Sequence, residues 1–140
     1  MFFQPLFKVQ ANWDIFHNAM NKVLGISFLC MFGTVCLAGE ADVTEVAVEK
    51  TGDTLYDFNV TVLHQDSGWK HYANKWEILD SHGKVLATRT LYHPHVNEQP
   101  FTRTLADVVI PKNIKSVTVR AFDSVHEYGG REVSVVLPLK

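Results

Sequence analysis

The chain is nearly free of sulfur beyond its N-terminal stretch: its two cysteines are Cys30 and Cys36, and its three methionines are Met1, Met20 and Met31. From residue 42 onward there is neither, which excludes a disulfide framework, a nucleophilic cysteine, a thiolate zinc site and a blue-copper centre. Any chemistry in that region has to use nitrogen and oxygen. Concentrated positive charge is missing as well. Thirteen Lys and Arg stand against 15 Asp and Glu, for a formal net charge of −2 without a basic run, and this disfavours a nucleic-acid partner, which needs a basic footprint. There is no G-x-S-x-G around Ser67 or Ser124 to mark a nucleophile, and no D-x-D-x-D-G loop to mark calcium. The balance leans away from an enzyme. Helical periodicity is also absent after residue 42.

What is present begins at Met20. A basic Lys22, an apolar run over 23–37 and small residues at Ala38 and Ala41 have the layout of a secretory signal peptide. The run falls short of the about 20 apolar residues that span a bilayer, so no stable membrane span is expected once the signal is cleaved. Three segments follow: 1–19, an extension upstream of a start at Met20 or a disordered leader; 20–41, the signal helix; and 42–140, the exported domain. Periplasmic or secreted localisation is the expectation.

From residue 42 the pattern is period-2 alternation broken by turn signals, as in half-buried antiparallel strands. Seven strands are predicted, near 43–49, 55–64, 72–80, 84–92, 101–110, 115–123 and 131–138. In the second, Tyr56, Phe58, Val60 and Val62 share the inward face and His64 continues it; Trp76 and Ile78 do the same in the third, and Val117, Val119 and Ala121 in the sixth. The expected fold is all-β, a single antiparallel sandwich of about seven strands.

The predicted connections are of two kinds. Those at 50–53, 81–83 and 111–113 are short and turn-like, whereas 65–71, 93–100 and 124–130 are longer and hold most of the histidines. If successive strands run antiparallel, alternate loops emerge at the same end. One pole then gathers His64, His71, His93, His95 and His126, with Asp66, Trp69, Glu98, Asp123 and Tyr128 nearby, and His82 is left at the other.

The run HQDSGWKHYANKWEILDSHGKVLATRTLYHPHVNEQPFTR, followed by FDSVHEYGG, resembles an uncharacterised family of small exported bacterial proteins, over residues 57–137. The resemblance implies an immunoglobulin-like sandwich and assigns no activity or site residues. Trp76, in the third strand, is also similar to the immunoglobulin pattern, which here has no accompanying disulfide.

Neutral imidazole is the commonest metal ligand, and a sulfur-free set suits copper(II) or zinc. His93 and His95, two apart on an extended segment with Pro94 between them, are expected to project to the same side. Two imidazoles do not close a site; His126, His64 or His71 from adjacent loops would complete one. The alternative is a set of loop histidines bonded to carboxylates and backbone. A further candidate is a ligand-binding surface built on Trp69, Asp66, Tyr128 and Asp123. Two functions are therefore carried forward. One is an exported, non-catalytic protein binding copper or zinc through His93, His95, His126, His64 and His71. The other is a protein- or glycan-interaction module that uses the aromatics of the same pole without a metal.

Overall fold

The computed structural model describes residues 39–139. The extension, most of the signal segment and both cysteines lie outside the described residues. Within them the chain forms seven strands and no helix: β1 (Asp42–Lys50), β2 (Leu55–Leu63), β3 (Ala73–Leu79), β4 (Val85–Thr90), β5 (Phe101–Val109), β6 (Ser116–Asp123) and β7 (Val133–Val136). All pairings are antiparallel, in a three-stranded sheet ordered β1-β2-β5 and a four-stranded sheet ordered β4-β3-β6-β7.

Alternation explains the elements. Tyr56, Phe58, Val60 and Val62 of β2 are buried, as are Val117, Val119 and Ala121 of β6. These inward faces meet Trp76, Ile78, Phe101 and Ile110 in one apolar core shared by both sheets. Removing a side chain as large as Trp76 from such a core costs about 3–5 kcal/mol. β5 departs from strict alternation at Ala106 and Asp107, where its register with β2 shifts. Asp107 adopts φ 55°, a left-handed conformation that Asp tolerates better than most residues, and its N–H donates to Asp57 Oδ1 at 2.9 Å. The extra residue of this bulge returns Val108 to the buried face.

The sandwich packing begins ahead of β1. Ala41 is 1% exposed and belongs to the core, Gly39 is buried, and Val43 N–H donates to Arg131 O at 2.8 Å. At one end of the sandwich, the turns after β1, β3 and β5 share a pole with exposed His82. The longer connections β2–β3, β4–β5 and β6–β7 meet at the other pole. Among the bonds that tie them together, His95 N–H donates to Asp66 Oδ2 at 2.6 Å, and Ser124 N–H donates to Tyr72 O at 3.1 Å.

Candidate metal centre

His64 follows β2 on the inward parity of Val60 and Val62 and is buried. Its Nδ1–H donates to Asp66 Oδ1 at 2.5 Å, and its backbone N–H donates to Gln99 Oε1 at 3.0 Å. Asp66 is a three-way acceptor, since it also receives Ala73 N–H on Oδ1 at 3.0 Å and His95 N–H on Oδ2. A carboxylate only accepts, so the Asp66 bond puts the proton of a neutral His64 ring on Nδ1 and leaves a lone pair on Nε2. This carboxylate–imidazole arrangement orients metal-binding histidines.

His71 is delivered by a tight turn, in which its N–H donates to Gly68 O at 3.1 Å and its carbonyl accepts from Ser67 N–H at 3.0 Å. Gly68 takes φ +122° there, which a side chain would disfavour. Asp123 continues the inward set of β6 and is 0% exposed. Its Oδ1 accepts from the backbone N–H groups of Val125 and His126, at 2.9 and 2.7 Å, and faces His126 Nδ1 at 3.2 Å. Among the described residues its Oδ2 has no hydrogen-bond partner, although it is buried. Burial pushes the Asp123 carboxyl up, but the backbone donors of His126 and Val125 hold it below the usual aspartate value. One of its two oxygens is therefore uncommitted among the described residues.

These groups converge. His64 Nε2 lies 3.2 Å from His71 Nε2 and 3.0 Å from Gly39 O; His71 Nε2 lies 3.2 Å from Gly39 O and 3.4 Å from Asp123 Oδ1. Four ligands held tetrahedrally at about 2.0–2.1 Å from a zinc ion are spaced about 3.3 Å apart. Two imidazole nitrogens, a carbonyl and a carboxylate make this point rich in acceptor atoms, and His64, His71 and Asp123 form a group that could hold a metal ion. The His126 ring closes one side, 5.0 Å from that of His71, with its side chain 39% exposed. His71 and His126 thus border the solvent side.

The remaining histidines are arranged differently. The segment 91–100 is irregular rather than extended, with Glu98 N–H returning to His95 O at 3.2 Å. His93 is exposed and His95 buried, their rings 4.7 Å apart. His95 stacks on Phe101 at 3.9 Å, and neither of its ring nitrogens has a partner among the described residues. Burial, with Arg103 and His93 nearby, pushes its pKa below the ordinary imidazole value. His95 is linked to the cluster through Asp66 and through Gln99, whose Nε2–H donates to His95 O at 3.2 Å and whose Oε1 accepts His64 N–H, and His93 does not join it. Of the ligand-binding candidates, Asp66 and Asp123 are in the centre. Trp69 is 69% exposed and edge-on to Tyr72. Tyr128 lies on the outer face of the four-stranded sheet, where its hydroxyl donates to Glu77 Oε1 at 2.9 Å and its ring lies under Arg120.

Two participants do not stand out as metal ligands in the sequence. Asp123 reads there only as a general ligand-binding residue, yet the parity of Val117, Val119 and Ala121 carries it inward just as β2 parity carries His64. Gly39 contributes a backbone oxygen, which leaves no signal in side-chain pattern. It takes φ +145°, and a Cβ there would run into the His126 ring.

No family model matches the chain. A protein of Halomicrobium mukohataei described as "Putative lipoprotein" is 35% identical over 96 residues, which cover 69% of this chain; the chain spans 47% of that relative's length. Among solved structures, a variant of the superoxide reductase (neelaredoxin) from Archaeoglobus fulgidus, in the reduced form, aligns with a TM-score of 0.46 and 11% identity over 71% of this chain and 90% of that one. That likeness is too slight to carry any chemistry across.

Proposed function

We propose that this is an exported, non-catalytic protein that binds one divalent transition metal, copper(II) or zinc, through His64 Nε2, His71 Nε2 and the Asp123 carboxylate, with His126 at the margin. The observation that carries this reading is the convergence of His64, His71 and Asp123, whose ligand atoms all lie within 4.8 Å of one another; the Asp123 carboxylate also keeps one buried oxygen, Oδ2, without a partner among the described residues. A nitrogen and oxygen donor set without thiolate suits these two ions, and the Asp66–His64 bond supplies the outer-shell support such ligands ordinarily have. Export is supported by the leader pattern at 20–41 and by the description of the Halomicrobium relative as a lipoprotein. The sheet orders β1-β2-β5 and β4-β3-β6-β7 support an immunoglobulin-like reading, with the fourth strand moved to the sheet of the third.

Calorimetric titration of untagged protein with Cu²⁺ and Zn²⁺ tests this. One equivalent bound with submicromolar affinity by wild type and by His93→Ala, and lost in His64→Ala/His71→Ala, is the expected outcome. Equal, weak binding by all three would reduce the cluster to a hydrogen-bonded pair of imidazoles. A second reading, an interaction module for protein or glycan, draws on Trp69 and on Tyr92, which is 76% exposed. Under it, Trp69→Ala and Tyr92→Ala would abolish retention on a glycan or protein ligand while leaving metal titration unchanged.

A further inference from the structure

Gly39 is built into the proposed centre: its carbonyl oxygen faces His64 Nε2 at 3.0 Å and His71 Nε2 at 3.2 Å. Its Cα packs so closely on His126 that a Cβ would displace the imidazole ring. In the sequence, the apolar leader ends in Val35-Cys36-Leu37-Ala38, immediately before Gly39. Small residues one and three positions before the cut are what a leader peptidase requires. Two bonds near the end of the leader satisfy this: Ala38–Gly39, with Ala38 and Cys36 at those positions, and Ala41–Asp42, with Ala41 and Gly39.

Packing separates the two. Cleavage after Ala41 would discard the carbonyl that faces both imidazoles together with Ala41 itself, a buried core residue. Gly130 also lies so close to Ala41 O that a Cβ on it could not be accommodated. Cleavage after Ala38 keeps all of these and creates a new group. Hydrolysis of the Ala38–Gly39 bond consumes one water, leaves a carboxylate on Ala38 and frees an α-amine on Gly39. That nitrogen is about 1.5 Å from a Cα already in contact with His126. An amine and a carbonyl oxygen on the same residue can close a five-membered chelate ring on a cation.

We infer that leader removal between Ala38 and Gly39 completes the metal centre, making Gly39 the mature N-terminus and its amine nitrogen and carbonyl oxygen ligands beside His64 and His71. This rests on the metal reading above and extends it: the full-affinity site belongs to the processed, exported protein. A cytoplasmic precursor, whose Gly39 nitrogen is an amide, would bind the same ion more weakly. Glycine suits this position, because a φ of +145° disfavours any side chain and a Cβ would displace the His126 ring.

The test has two arms. The full-length precursor is expressed in an exporting host and the exported protein is analysed by intact mass and N-terminal sequencing; a free N-terminus at Gly39 is expected. A start at Asp42, a lipid-modified Cys36 or an uncut leader overturns the inference. In the second arm, a chain starting at Gly39, which retains the whole two-sheet core, is compared with the same chain carrying one extra alanine before Gly39. Each is titrated with Cu²⁺ and examined by electron paramagnetic resonance. The native start should bind at least about tenfold tighter, because the amine is already held at the site, and should show one more coordinated nitrogen. Equal affinities and spectra overturn the inference. His64→Ala in both chains separates the two readings. If it abolishes binding while the extra alanine does nothing, the histidine centre stands and only the N-terminal ligand falls; if it leaves binding intact, both fall.

Discussion

Asp66 accepts from the His64 ring and from the backbones of Ala73 and His95. It therefore does two things at once: it selects the His64 tautomer that offers Nε2, and it pins the His93-Pro94-His95 segment to β3. Asp66→Asn keeps the shape and removes the charge. A loss of about 10- to 100-fold in metal affinity, as is typical of outer-shell carboxylates, is expected by calorimetry, with the centre otherwise intact. An unchanged affinity would mean that the His64 orientation is set by packing alone. His95 gives a different prediction. In the unfolded chain its imidazole protonates near its ordinary value of 6.5, whereas the buried ring has a lowered pKa. As pH falls below 6.5 the unfolded state takes up the proton first, so stability contributed by the neutral buried ring is present above that pH and lost below it. Denaturant titrations at pH 7.5 and 5.5 should show a larger loss for wild type than for His95→Leu; equal losses would contradict it. In sequence the two histidines of His93-Pro94-His95 read as a chelating pair, because an extended segment would put them on one side. The turn that closes on Glu98 makes one a buried support and leaves the other outside.

At the level of elements, period-2 alternation makes most of the architecture legible. The seven expected strands match the observed ones to within two residues at each end, because one buried face per strand imposes the pattern directly. The same parity carries His64 inward and, applied to β6, carries Asp123 there too. What alternation does not encode is an interruption such as the Asp107 bulge, or a buried charge on the outer face. Glu77 is the clearest instance. It lies on the opposite parity from Trp76 and Ile78, yet is buried under Lys75, Arg120 and Tyr128, at 2.8, 2.9 and 2.9 Å. Burial pushes its carboxyl up, but hydrogen bonds from Lys75, Arg120 and Tyr128 outweigh this and hold its pKa below the ordinary 4.5. A carboxyl so depressed stabilises the fold fully above the unfolded value and loses that contribution as pH falls through the folded one. Because Lys75 and Arg120 are partly exposed, the expected cost of Glu77→Gln at pH 7 is about 2 kcal/mol rather than the larger penalty of a fully buried pair. Urea unfolding should reveal that difference at pH 7 and show it shrinking below pH 4.5; a gap that persists undiminished at pH 3 would place the cost in packing instead.

Across the whole molecule, the centre is assembled from segments far apart in the chain: the stretch before β1, the end of β2, the β2–β3 turn and the end of β6. Antiparallel parity explains why the last three meet at one pole, which is the part of the site that can be anticipated from the sequence. That Gly39 returns to the same pole follows from the packing of Ala41 and Val43 against the sandwich, which no local pattern announces. No such centre exists in an unfolded chain, so a bound ion is tied to the folded state. Its most direct test is anomalous X-ray diffraction at the copper and zinc edges from crystals equilibrated with each metal. The account predicts a single strong peak about 2.0–2.1 Å from both His64 Nε2 and His71 Nε2 and within ligand distance of the Asp123 carboxylate. A peak at His93 instead, or no peak at the cluster with either metal, would contradict it.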